Sequence, residues 1–202
     1  MSSDGRPRGA ARRERILDVA LKMFADNGFR GASIAEIAAG CGLSQPGLLH
    51  HFPTKAALLA AVLEHRDRVD RERLGFDETL RGPAALDRLA RLVEHNVHVP
   101  GLVRLFTVVS GEAVTVGHPA HAWAVGRYRG LQAWLSRALD GGIADGTIAA
   151  GLDTAAVARQ VSAMMDGLQL QWLLDPEHVD MAALFRAYID DLIVRVSAAP
   201  AS

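Results

Sequence analysis

The sequence predicts an all-α protein with a small N-terminal helical head and a larger helical body. Three observations predict it. Apolar residues recur at spacings of three and four along nearly the whole chain, as in Ile16, Leu17, Ala20, Leu21 and Phe24. Capping residues stand just ahead of such runs, at Ser33, Ser44, Thr54 and Asp180. No stretch alternates apolar and polar residues over the length of a strand.

The elements follow in order. Residues 1–11 are polar and basic, without apolar periodicity, and read as a disordered tail. Residues 12–27 form an amphipathic helix that Gly28 stops. Ser33 caps a short helix, Ile34 to Ala39, ended by Gly40. Ser44 caps another, to about His51. Pro53 breaks the chain, and Thr54 caps a long helix to about Arg73. Gly75 to Gly82 reads as a loop. Pro83 opens a helix at its favoured first-turn position, and Pro100-Gly101 ends it. Leu102 to about Val114 is the next helix, and Gly117-His118-Pro119 breaks the chain again. From Ala120 a helix passes through Trp123, Tyr128, Trp134 and Leu139; the pattern leaves open whether it crosses Gly141-Gly142. Asp153 or Thr154 caps a helix to about Leu174, and Asp180 caps a last one to about Ser197. The head is residues 12–55 and the body residues 56–202.

Composition excludes several classes. Of 202 residues, 50% are hydrophobic and the formal net charge is −1, so disorder of the whole chain is ruled out. Cys41 is the only cysteine, which rules out a disulfide scaffold. No apolar run is long enough to span a membrane, and the polar N-terminus does not resemble a signal peptide. A cytoplasmic protein without a membrane partner is expected. Charge is uneven: residues 1–55 carry eight basic against five acidic side chains, and the remainder fourteen against eighteen. Either the head meets a polyanion, or its basic groups are a solvated tail.

The two short helices, with Gly42 in the turn between them, read as a helix-turn-helix. Ala38 is small where the second helix crosses it. Gly42 allows a backbone conformation that a side chain would hinder. Leu43, Leu48 and Phe52 hold the pair at its angle, with Ile34, Ile37 and Phe24 completing the small core. Such a unit presents the N-terminal residues of its second helix to the major groove.

The stretch SIAEIAAGCGLSQPGLLHHFPTKAALL, residues 33–59, resembles the DNA-binding head of TetR-type (TetR/AcrR) transcriptional regulators, and RERILDVALKMFADNGF resembles that family's first helix. The resemblance implies a homodimer that binds a palindromic double-stranded operator and leaves it when a small molecule enters the body. It also implies that Gln45 and Pro46 reach base edges. Their chemistry agrees, since Gln pairs with adenine and a Pro ring packs on a thymine methyl. Leu49 departs from the family, which usually places a phosphate-donating Tyr there; His50 or His51 is the candidate substitute. Gly47 removes one side chain from the reading edge. Ser33 and Ser44 are ordinary N-caps that are also placed to donate to phosphate. Lys55, a cation in the first turn of a helix, opposes the macrodipole; it is either a solvated lysine or a phosphate ligand. An activator, or a ligand-binding protein whose head no longer reads DNA, are the alternatives.

His95 and His98, and His118 and His121, have a spacing compatible with metal ligands but lack companion ligands, so no metal and no cofactor are expected. Cys41 reads as packing filler. No catalytic set is recognisable, and no enzyme activity is expected. By resemblance the middle helices surround an effector cavity. Phe106, Trp123, Arg127, Tyr128, Met164, Met165 and Gln169 are its candidates, and their aromatic and Met content suits an apolar or amphipathic effector. The last two helices carry broad apolar stripes, and Val161, Leu168, Leu184, Phe185, Tyr188 and Leu192 are the candidate dimer interface.

Overall fold

The computed structural model describes residues 5–74 and 78–198, with the side chains of 10–68 and 78–198. These residues form nine helices: α1 (Gly5–Gly31), α2 (Ile34–Gly40), α3 (Gln45–His51), α4 (Lys55–Leu74), α5 (Pro83–Asn96), α6 (Pro100–Ala113), α7 (His121–Ala144), α8 (Thr154–Leu174) and α9 (Met181–Val196). One isolated antiparallel bridge joins Ile148 to Ser197. None of the described helices is long and apolar enough to cross a membrane.

Capping sets most boundaries. Ser33 Oγ accepts from Glu36 N, Ser44 Oγ from Gly47 N, Thr54 Oγ1 from Ala57 N, Asp153 Oδ1 from Ala156 N and Asp180 Oδ1 from Ala183 N. Each satisfies an amide that the helix cannot. Two expectations are corrected, and one open point is decided. First, α1 starts at Gly5, so residues 5–11 of the expected tail are helical; residues 1–4 lie outside the described residues, as do 75–77 of the expected loop. Ala and Arg favour helix, and Pro7 falls in the first turn, where no amide is needed. Second, Pro100 opens α6 rather than closing α5, which ends at Asn96. The open point is α7, which crosses Gly141-Gly142. Those glycines let the 81–82 segment approach: a Cβ on Gly142 would stand 2.6 Å from Gly82 Cα, and Gly82 N–H donates to Ala138 O at 2.8 Å.

The described chain divides into two compact units. One holds the chain through Arg73 together with Gly101–Ala124; the other holds Leu74–Pro100 and Val125 onward. In the first, α1–α4 share a core of Ile16, Leu17, Phe24, Ile37, Leu48, Phe52, Leu58, Leu59 and Leu63. Leu105 and Val109 of α6 are buried in that same core, which is why α6 belongs with the head. In the second, Leu86, Leu89 and Val93 of α5 pack with Trp134, Leu135 and Leu139 of α7, with Val161 of α8, and with Phe185, Ile189 and Leu192 of α9. Each large side chain so buried contributes about 1.5–3 kcal/mol. Arg186 ties α9 to α5, donating to Asp87 Oδ1 at 2.7 Å and Glu94 Oε1 at 2.9 Å. The guanidinium holds the Asp87 carboxyl below its ordinary range.

Candidate nucleic-acid interface

The turn between α2 and α3 is built by a left-handed glycine. Gly42 has φ 68°. Its amide donates to Ala39 O, and the amide of Leu43 donates to Ala38 O at 2.9 Å. This paired arrangement closes α2 and redirects the chain within a few residues. Gly40 has its own role, because a Cβ there would stand 2.9 Å from Val19 Cγ1 of α1.

One face of α3 is thereby pinned and the other is open. Leu48 and Phe52 are buried, while Gln45, Pro46, His50 and His51 are exposed and Gly47 and Leu49 are half-buried. Pro46 sits in the first turn, where it needs no amide partner. Ser44 is exposed and Ser33 half-buried, and each is engaged as a cap. The rings of His50 and His51 meet edge to face, with centroids 5.9 Å apart. α3 therefore presents an amide, a pyrrolidine ring, bare backbone at Gly47 and two imidazoles along one open edge.

Lys55 is engaged more than its sequence position suggests. Its Nζ donates to Ala32 O at 2.9 Å and Arg30 O at 3.2 Å, and stands 4.8 Å above the Phe29 ring. Two carbonyls and a ring face therefore offset the unfavourable dipole of α4. One of its three N–H donors is left over.

A second anchor of the same region has no sequence signal. Glu112 of α6 accepts from Phe29 N at 2.6 Å and more weakly from Arg30 N at 3.4 Å. Gly28 makes this possible, with φ 68° and ψ −179°, a conformation nearly exclusive to glycine. His118 is buried beside them, edge-on to Phe29 at 5.2 Å. Its Nδ1 accepts from Ala120 N, and its Nε2 lies 3.8 Å from Glu112 Oε2, beyond hydrogen-bond range. His121 Nδ1 donates to Ala113 O. Among the described residues no group of three or more His, Cys, Asp or Glu comes together as a metal site. Cys41 is half-buried, and burial raises its thiol pKa despite the pull of Arg15.

The candidate effector residues fall in both units. In the first, Phe106 stacks on Trp123 with centroids 5.8 Å apart, and Trp123 Nε1–H donates to Asp67 Oδ2 at 2.7 Å. In the second, Tyr128 OH donates to Asp166 Oδ2 at 2.7 Å. Burial pushes the Asp166 carboxyl up, opposed by the Tyr128 hydrogen bond and by the charge of Arg127. Met165 and Gln169 are buried on α8. Met164 is 38% exposed and faces elsewhere: with Gln160, Ala163, Gly167, Leu168, Gln171, Tyr188 and Arg195 it lines an open groove of about 490 Å³ along α8 and α9. Of the candidate dimer residues, Val161, Phe185 and Leu192 are sealed in the chain's own core, and Leu168 is buried at the groove floor. Leu184 is half-exposed, and Tyr188 borders the groove. Val161, Phe185 and Leu192 cannot meet a partner without opening that core.

Comparison with known proteins finds two matching family models. Bacterial regulatory proteins of the tetR family match residues 16–62, and the C-terminal part of BetI-type transcriptional repressors matches residues 85–194. The transcriptional regulator UidR of Escherichia coli is 34% identical over 88 residues, 43% of this chain and 43% of that relative, so the match spans less than half of its length. Among solved structures, a TetR transcriptional regulator from Chloroflexus aurantiacus superposes with a TM-score of 0.82 at 20% identity, covering 96% of this chain and 100% of that one. FadR of Bacillus subtilis, in complex with stearoyl-CoA, gives a TM-score of 0.73 at 21% identity over 89% and 97% of the two chains.

Proposed function

The chain belongs to the TetR family of bacterial transcriptional regulators, and we propose that it is a homodimeric repressor that occupies a palindromic operator and leaves it when a small organic effector binds. The open edge of α3 carries this reading. Gln45 and Pro46 are exposed in the first turn of α3 while Leu48 and Phe52 further along are buried and anchor it, the arrangement a major groove reader needs. Gln45 and Pro46 then meet base edges. Ser33, Ser44, Gly47, His50, His51 and the free N–H of Lys55 meet the backbone around them. Protein and operator meet in the cytoplasm.

A dimer is required because one head reads only a few base pairs, whereas two heads about one helical turn apart read a palindrome. The groove along α8 and α9 supports a two-fold contact: it is shallow, largely apolar and bordered by Met164, Tyr188 and the bare backbone of Gly167. Leu170, Leu174 and Leu184 are exposed on the same two helices. The effector binds, in this reading, within the second unit, beside Arg127, Tyr128, Met165 and Gln169. An apolar or amphipathic molecule suits these walls. It acts only if it favours a state whose heads are wrongly spaced for DNA.

The test is fluorescence anisotropy with a duplex taken from upstream of the gene and a scrambled duplex of equal length. Selective binding to the first, weakened in Gln45→Ala, together with repression of a reporter behind that DNA, is the expected result. Equal binding to both duplexes overturns the reading.

A further inference from the structure

We propose that Arg13 of α1 is a DNA-backbone ligand that α3 holds in place at the far end of the recognition edge. This rests on the reading of α3 as the DNA reader and adds a contact that neither short helix supplies. The Arg13 guanidinium lies over the Phe52 ring, 5.0 Å from its centroid. Phe52 is the C-cap of α3 and is itself 3% exposed, so the ring is a fixed platform. A guanidinium held over a ring face keeps N–H groups at its rim available to an anion.

Among the described residues no carboxylate claims those donors. Other arginines are engaged: Arg91 with Asp87, Arg104 with Asp26, and Arg186 with Asp87 and Glu94. Among the described residues Arg13 makes no hydrogen bond or ion pair, and its helical neighbours at three and four residues are Gly9, Ala10, Ile16 and Leu17. α1 is regular helix through this point, so the side chain projects from an ordered backbone and not from a tail. It is exposed, as are His50 and His51 at the same end of α3.

Scale supports the contact. From Gln45 to Phe52 is seven residues, about 10 Å along a helix. The major groove is about 12 Å wide. When Gln45 stands at a base edge, the Phe52 end therefore approaches a groove wall, which is lined with phosphates. The stacked cation at that end meets a phosphate with no change of rotamer, and it reads no sequence.

The experiment uses the full chain with the same two duplexes, titrated between 50 and 200 mM KCl. Arg13→Met keeps the apolar stem against Phe52 and removes the charge. It should weaken both duplexes alike, by about eightfold per head near 0.1 M salt, and lower the salt slope by about 0.9 per head. Arg13→Lys keeps the charge and should retain most of the wild-type slope, which separates phosphate binding from support of Phe52. A wild-type slope in Arg13→Met, or a loss confined to the upstream duplex, overturns the assignment. If Arg13→Met misfolds, a reduced slope in a folded Arg13→Lys overturns it as well. If wild type binds neither duplex, the reading of α3 fails and takes this one with it. If wild type binds selectively, Gln45→Ala reduces the selectivity and Arg13→Met changes nothing, this assignment alone fails.

Discussion

Replacing Gly28 by alanine should release the end of α1 from α6. Gly28 has φ 68° and ψ −179°, and an L side chain pays about 1–3 kcal/mol to sit there. The added Cβ would stand 2.6 Å from Glu112 Oε1 and 2.9 Å from its Cδ. The carboxylate is the far end of a flexible side chain, so it moves aside, and the clash itself is cheap. What is lost is the charge-assisted bond to Phe29 N, now 2.6 Å long, worth about 1.5–3 kcal/mol. The Glu112 side chain is 25% exposed, which trims the second figure. A total near 3 kcal/mol is expected. Urea unfolding followed by circular dichroism, on Gly28→Ala, Glu112→Ala and the double variant, separates the two parts. In the Glu112→Ala background, Gly28→Ala should cost only its backbone share, leaving a coupling of about 1–2 kcal/mol. Costs that add to within about 0.5 kcal/mol would mean that Gly28 does not make room for Glu112.

Four further outcomes are expected. Gln45→Ala should relax preference at one operator position per half-site and cost about 1–3 kcal/mol of specific binding, read by competition among single-base operator variants; equal loss on random DNA refutes it. Lys55→Met removes the bonds to Arg30 O and Ala32 O and should destabilise the protein by about 1–3 kcal/mol in urea, while weakening all DNA sequences alike; an unchanged urea midpoint counts against it. Gly167→Arg places a charge in the α8–α9 groove at a position where an added Cβ meets nothing within 4 Å, so it should stay folded and become monomeric by light scattering; a folded dimer refutes that interface. Asp166→Asn bears on pH. Burial raises the Asp166 pKa in the folded protein, so its contribution is greatest below the ordinary carboxylate pKa and is lost as pH rises through the raised value. An asparagine oxygen still accepts from Tyr128 without that loss. The variant should therefore gain stability on wild type between pH 4 and pH 7 in thermal melts, and a gap that narrows instead contradicts this.

Local chemistry was enough for the helix-turn-helix. Ser33, Gly42 and Ser44 act on backbone groups within a few residues, so the caps, the turn and the open edge at Gln45 and Pro46 were legible as a string of letters. The same holds for Asp180, whose carboxylate caps α9 three residues ahead, whereas the letters left Asp153 and Thr154 as equal candidates for α8 and the structure has Asp153 in that role. Punctuation by glycine and proline was legible only in part. Pro100 fits a helix start as well as a stop, and Gly141-Gly142 stay helical because residues 81–82 press against them from fifty-nine or more positions away. Periodicity located the apolar stripes on α8 and α9 but not what covers them. Val161, Phe185 and Leu192 went to α5 and α7 of the same chain, leaving Met164, Gly167 and Tyr188 along the groove. The Glu112 bond to Phe29 N spans 83 positions, and the Arg13 stack on Phe52 spans 39. A glutamate inside one helix and an arginine inside another carry no mark of such partners. Their roles exist only once packing has brought distant segments within about 5 Å, because hydrogen bonds and ring contacts act only at such short range and sequence pattern reports only neighbours.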